Sequence, residues 1–212
     1  RRLIGTEPPA DDLDHRAVEV RGASARVARA SHTGEIGFDF FVADDDLEPF
    51  VDGLEKEGCS LPSVWVGFEA QEMTRIEAAV PRYGVDMDES CLLLEVGLER
   101  AVSFTKGCYL GQEVVERIRS RGHVNRRLFG VVLNAGPTPA RGAKILAEGE
   151  VIGEITSAAW SPSLGRPIAL AYVRREHLQP RKRVRVEHGG ERLSAELATL
   201  PFDRPPSPLN QP

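Results

Sequence analysis

The chain has 212 residues, 41% of them hydrophobic and 28% charged, with a net charge of −5; this is the balance of a globular protein with one large or two small cores. No run of 18 or more apolar residues occurs, which excludes a transmembrane helix, and the N-terminal Arg-Arg-Leu-Ile-Gly-Thr-Glu has neither the apolar stretch nor the cleavage site of a signal peptide. Cys59, Cys91 and Cys108 are odd in number and lack C-x-x-C spacing, which argues against a disulfide framework or zinc knuckle and for a reducing, cytoplasmic setting.

Residues 16–29 alternate loosely and read as strands, with Val18, Val20, Ala25 and Val27 turned inward. A further strand is expected where Ile36, Phe38 and Phe40 share one face and Asp39 and Phe41 the other. Asp44-Asp45-Asp46 supplies N-cap candidates for a helix from about 46 to 57, closed by Gly58, with Leu47, Phe50 and Leu54 facing the core. A second helix is expected over 67–79, with Phe68, Met73 and Ile76 as apolar contacts and Arg75 near its end. Pro81, Gly84 and the acidic stretch from Asp86 to Glu89 read as a connection. A third helical pattern covers about 111–121, with Val114, Val115 and Ile118 inward and Gly122 as its stop. Glu113 and Arg117 stand one turn apart in the favourable order for an ion pair.

After Arg127 the character changes. Leu128–Leu133, Lys144–Leu146, Glu150–Ser157, Ile168–Val173, Arg183–Val186 and Arg192–Leu197 are short apolar or alternating runs separated by Gly- and Pro-rich turns. Six such strands suggest a small barrel or sandwich. The fold class is therefore α+β, an antiparallel sheet-and-helix segment over 1–125 followed by a small C-terminal β-barrel over 126–202. A proline-rich tail follows over 203–212.

One octapeptide carries most of the chemical information. Lys106-Gly107-Cys108-Tyr109-Leu110-Gly111-Gln112-Glu113 places a cysteine between glycines, beside a lysine and just ahead of a helix. A helix N-terminus and a nearby ammonium both favour thiolate, the reactive form. The competing reading is a structural cysteine packed in a tight turn.

This octapeptide resembles the K-G-C-[FY]-x-G-Q-E signature of the YgfZ-type folate-binding proteins, relatives of the glycine-cleavage T-protein (aminomethyltransferase). Residues 32–39, His-Thr-Gly-Glu-Ile-Gly-Phe-Asp, are similar to that superfamily's Y-T-G-E-x-G-[FY]-E segment. Residues 74–84, Thr-Arg-Ile-Glu-Ala-Ala-Val-Pro-Arg-Tyr-Gly, are similar to its L-R-L-E-A-G-x-P-x-Y-G segment. Ile168 to Val173 fits the family's barrel end more loosely. The resemblance implies a T-protein-like fold with a hundred or more residues upstream of Arg1, in keeping with the absence of an initiator methionine.

The resemblance also implies tetrahydrofolate as the ligand. It carries a folate contact onto Arg75, whose guanidinium can clamp a carboxylate or heterocycle; a salt bridge with Glu72 or Glu77 explains the same residue without ligand. The family's glutamate against the pterin amino–imino edge becomes Asp39, one methylene shorter, and the family's tyrosine becomes His32. Tyr83, as a stacking ring, and Glu35 are further cofactor-binding candidates, and Glu77 is read as support for Arg75. Cys108 with Lys106 would be the reactive group.

Residues 1–100 carry 10 Lys and Arg against 22 Asp and Glu, a net of −12, while residues 101–212 carry 17 against 10, a net of +7. Such a polarised charge can steer an anionic ligand toward the basic half, although a solvated surface accounts for the same counts. Arg117, Arg119, Arg121, Arg126 and Arg127 with His123 form one basic cluster, able to meet phosphates or a polyglutamate tail. Arg181-Lys182-Arg183 with Arg185 form another. Neither has the aromatic interleaving of a nucleic-acid site, and no metal-ligand spacing or Walker loop stands out. Two main functions are compatible with these residues. One is a YgfZ-type protein that binds folate and helps maintain iron–sulfur enzymes, with those enzymes or their assembly factors as partners. The other is an aminomethyltransferase, although its aspartate near the folate nitrogens has no match here. A third reading makes the barrel a module of a larger sarcosine-oxidase-like chain.

Overall fold

The computed structural model describes residues 4–58 and 64–202. Two compact units meet in sequence between Gln71 and Glu72. The first holds strands β1 (His15–Val20), β2 (Ala23–Arg29) and β3 (Phe38–Val42) and helix α1 (Leu47–Gly58). The strands form an antiparallel sheet in the order β1-β2-β3, with Val18 opposite Ala25 and Val27 opposite Phe40. Arg21 and Gly22 both take positive φ, 50° and 87°, the two-residue turn whose twist matches a hairpin. Val18, Val20, Ala25 and Val27 are buried as the alternation requires, and they pack with Phe50 of α1. The Phe40 and Phe50 rings meet at 5.2 Å between centroids, tilted by 51°, an arrangement aromatic quadrupoles favour.

Three expectations are corrected in this unit. Ile36 lies before the strand and is exposed, because the ladder begins only at Phe38. Leu47, at the first position of α1, is 52% exposed while Phe50 and Leu54 reach the core. Asp44–Asp46 form a 3-10 turn with no side-chain cap; the Asp46 carboxylate instead accepts the Ser24 backbone N–H at 3.2 Å.

Helix α2 (Phe68–Glu77) spans the division between the units, and Phe68 at its start is exposed. From Glu72 onward the chain builds the second unit, with α3 (Leu93–Val96), α4 (Gln112–Arg121) and strands β4 (Arg126–Leu133), β5 (Lys144–Ala147), β6 (Glu150–Ser161), β7 (Arg166–Arg174), β8 (Arg183–His188) and β9 (Glu191–Ala198). The six strands close as a barrel in the order β4-β7-β6-β5-β8-β9, with β9 returning to β4 through Val131 opposite Leu197. Val131, Leu133, Ile145, Ile152, Ile155, Val173, Val186 and Leu197 fill its interior.

Strand β7 is buried on both faces. Ala169, Ala171 and Val173 point into the barrel, whereas Ile168, Leu170 and Tyr172 meet Ile76 of α2, Val96 of α3 and Phe202 on the outside. This double cover is why the run from Ile168 to Val173 reads as continuously apolar. On α4, Val114 is exposed and only Val115 and Ile118 turn partly inward, so one of the three expected contacts is missing. The Glu113–Arg117 pair is present at 3.4 Å. Cys59 and the tail over 203–212 lie outside the described residues.

Helix α2 ends in a Schellman arrangement: Val80 N–H donates to Arg75 C=O at 2.8 Å and Ala79 N–H to Ile76 C=O at 2.9 Å. Ala79 holds the left-handed position at φ 58°, where a Cβ costs about 1–2 kcal/mol and glycine is preferred. Replacing Ala79 by Gly should therefore raise stability by about 0.5–1 kcal/mol, after the entropy that glycine adds to the unfolded chain. Urea unfolding of the two proteins measures it; a less stable variant means that the methyl's packing outweighs the strain.

Candidate functional site

In the first unit, the loop from His32 to Asp39 is shaped by two glycines. Gly34 takes φ 77°. At Gly37 an added Cβ would lie 2.6 Å from the Ala30 carbonyl oxygen, in the place where Gly37 C=O accepts the Ala30 N–H at 3.2 Å. The loop brings His32 Nε2 to 2.9 and 3.0 Å from the two Asp39 carboxylate oxygens. A carboxylate only accepts, so this ring nitrogen carries the proton. Both side chains stay accessible, at 57% and 36% exposure, and a pair so placed adds little to stability. Glu35 is half-buried in the same loop.

In the second unit, Arg75 is not a helix-surface residue. It is 4% exposed, and its guanidinium is enclosed by protein acceptors. Nη1 donates to Asp86 Oδ2 at 2.5 Å and to Val80 C=O at 3.3 Å; Nη2 donates to Glu72 Oε2 at 2.8 Å and to Ser157 Oγ at 2.7 Å; Nε faces both Glu72 oxygens at 3.3 Å. Asp86, 1% exposed, is equally saturated. Its Oδ2 also accepts the Arg82 backbone N–H at 3.0 Å, and its Oδ1 accepts the Thr156 and Ser157 hydroxyls at 2.6 Å each. Arg82 in turn pairs with Glu72.

Two consecutive hydroxyls reach one oxygen because the β6–β7 ladder slips between Ile155 and Ser157. Neighbouring residues of a regular strand point to opposite faces, and a bulge suspends that rule. Asp86, Thr156 and Ser157 were not singled out by sequence; the hydroxyl pair in Thr156-Ser157 is the only local hint. Glu77 also departs from expectation. Rather than supporting Arg75, it accepts from the Ser161 hydroxyl and from Ser163 N–H at 3.2 Å and Oγ–H at 3.0 Å.

Tyr83 is exposed, and its hydroxyl donates to Glu89, which raises the phenol's pKa and lowers that of the carboxyl. Cys108 and Lys106 are both exposed in the loop before α4. Gly111, at φ 88°, precedes the helix. The Lys106 ammonium lies 5.0 Å from the Tyr109 ring centroid, within cation–π range. Cys91 is the other free thiol among the described residues. It is half-buried, with Sγ 3.8 Å from Asp88 Oδ1 and 4.0 Å from Arg126 Nη2. Among the described residues no group of three or more His, Cys, Asp and Glu forms a metal cage, and no helix is long and apolar enough to cross a membrane.

A sheet-and-helix unit followed by a closed six-stranded antiparallel barrel defines the T-protein class of fold. The GCVT N-terminal domain matches residues 12–106, and the Glycine cleavage T-protein C-terminal barrel domain matches residues 126–203. The chain belongs to the glycine cleavage T-protein superfamily, which includes the aminomethyltransferases. It is 37% identical over 189 residues to the aminomethyltransferase of Streptomyces avermitilis, covering 87% of this chain and 51% of that one. To the aminomethyltransferase of Symbiobacterium thermophilum it is 34% identical over 191 residues, 89% of this chain and 51% of the relative. The fold matches the glycine cleavage system aminomethyltransferase T of Bartonella henselae with a TM-score of 0.76 at 24% identity, over 84% of this chain and 49% of that one. The chain thus spans about half the length of the curated relatives it matches.

The enclosed network sets a stability expectation. Arg75→Ala strands the Asp86 carboxylate in a dry site, and Asp86→Ala strands the guanidinium. Each should cost about 3–5 kcal/mol, as removal of one partner of a buried pair does. Chemical denaturation measures it, and a loss below about 1 kcal/mol, the range of a surface pair, would show that water reaches the network.

Proposed function

We propose that this chain binds tetrahydrofolate as part of an aminomethyltransferase-type protein, in which a one-carbon unit passes from an aminomethyl-lipoyl carrier to the folate and ammonia is released. Its likeness to aminomethyltransferases over most of its length supports the reading. The observation that carries the folate assignment is the accessible Asp39 carboxylate, presented by the glycine-shaped loop within the matched N-terminal segment.

The residues fit the ligand's chemistry. A carboxylate with two accessible oxygens is the natural acceptor for the paired N–H groups of a pterin edge. His32 Nε2–H holds that carboxylate in orientation, and Glu35 belongs to the same loop. Bound tetrahydrofolate supplies the nitrogens that accept the one-carbon unit; the protein's part at Asp39 is recognition and orientation. Arg75 makes no ligand contact in this reading, because its donors are already engaged by Glu72, Asp86, Val80 and Ser157. Tyr83 keeps an exposed ring on the second unit.

Titration calorimetry with tetrahydrofolate tests the assignment. Asp39→Asn keeps the shape and removes the charge, and should weaken binding by about 1.5–3 kcal/mol, the worth of a charge-assisted hydrogen bond. Unchanged affinity in Asp39→Asn would move the pterin site away from this loop.

A second reading is favoured by Cys108. An accessible thiol in the Lys106–Glu113 octapeptide, outside either core and beside Lys106, suits a YgfZ-type accessory protein acting on iron–sulfur enzymes. In that case Cys108→Ala leaves folding and folate affinity intact and abolishes support of iron–sulfur enzymes in a deficient cell. Full rescue by Cys108→Ala, together with measurable one-carbon transfer to tetrahydrofolate, favours the aminomethyltransferase.

A further inference from the structure

Tyr172 of β7 is 8% exposed, and its hydroxyl is buried without a hydrogen-bond partner. A buried donor costs free energy until something supplies the missing bond. Cys91, just ahead of α3, packs against the apolar cluster that holds Tyr172, and its sulfur stands beside the phenol. Burial first, and then that sulfur, push the phenol's pKa up, so Tyr172 keeps its proton to donate. A thiol sulfur is a weak acceptor and does not satisfy it.

The rest of the sulfur's surroundings are polar. Asp88 Oδ1, 3.8 Å away, accepts the Cys91 S–H, and the same oxygen takes the Ser90 N–H at 2.9 Å and the Ser90 hydroxyl at 2.6 Å. From the other side Arg126 Nη2 points at Sγ from 4.0 Å. Arg126 is fixed in place: Nε is held by Glu95 Oε2 at 3.2 Å, and the guanidinium carbon lies 4.5 Å from the Tyr172 ring centroid. The β4–β7 ladder, with Leu128 opposite Tyr172, sets this spacing. Two donors, the Tyr172 hydroxyl and Arg126 Nη2, therefore converge on a half-buried sulfur that rewards neither fully.

An oxygen carried by that sulfur accepts from both. We propose that Cys91 is a site of oxidation by hydroperoxides, and that its sulfenic acid is held by the Tyr172 hydroxyl and the Arg126 guanidinium. The thiol gives up its proton, and the thiolate, the nucleophilic form, attacks one peroxide oxygen. An S–O bond forms and the O–O bond breaks; the sulfur loses two electrons. With hydrogen peroxide the departing hydroxide takes up a proton and leaves as water, and the product is Cys–SOH. Cys108 is the contrast within the same chain, an exposed thiol outside both apolar clusters of the unit. Neither functional reading assigns Cys91, so the inference stands apart from both.

The full chain is treated with one equivalent of hydrogen peroxide, the excess is removed with catalase, and dimedone is added after increasing delays. Peptide mass spectrometry then reads the adduct at each cysteine. The expected result is labelling at Cys91 that survives delays about tenfold longer in the unsubstituted chain than in Tyr172→Phe, while labelling at Cys108 decays at the same rate in both. Tyr172→Phe keeps the ring under Arg126 and removes only the unpartnered hydroxyl; circular dichroism confirms that it folds. Absence of a Cys91 adduct when Cys108 is labelled overturns the inference, as does capture of Cys91 in a disulfide before dimedone reaches it. Equal survival of the Cys91 adduct in the two proteins overturns it as well, because the buried hydroxyl then holds nothing.

Discussion

The contact between the Arg75 guanidinium and the Asp86 carboxylate is the constraint around which the second unit is arranged. Both groups are almost completely removed from water, where an unmatched charge costs several kcal/mol. Neither can be accommodated unless α2, the connection after Tyr83 and strand β6 all arrive in register. Glu72, Val80 and Ser157 complete the arginine, while Arg82, Thr156 and Ser157 complete the aspartate. Such a pair adds little over a well-packed apolar contact. What it does is penalise every arrangement in which one member is displaced.

That constraint also bears on how a family resemblance should be carried onto residues. Arg75 sits where the resemblance places a ligand contact, yet its donors are directed at four protein groups. Asp39, which departs from the family's glutamate, keeps an accessible carboxylate held by His32. The shorter side chain is thus still available for recognition, and the difference in length bears on how far a ligand must enter to meet it.

The strands were legible in the sequence because burial imposes a period. Val18, Val20, Ala25 and Val27 alternate and are inward, and all six barrel runs are strands. The helices were legible in extent but less so in coverage. Leu47, Phe68 and Val114 fall at helical spacing and are nevertheless exposed, since a pattern names a face without saying how far a neighbour extends over it. Ile36 continued an alternation past the point where pairing begins. Asp86 was the least legible of all. It lies in an acidic turn that looks solvated, and its hydroxyl partners are about 70 residues away on a strand. They converge only because of a bulge that no local periodicity announces.

Strand β7 gives the second unit one further property. Its alternate residues belong to two different apolar clusters, one inside the barrel and one under α2 and α3. Neither cluster can dissolve while the other persists, because the same backbone ladder to β4 and β6 holds both. Barrel and helical cover are therefore expected to melt in a single cooperative step, with the slowest-exchanging amides of the unit in the residues from Ile168 to Val173.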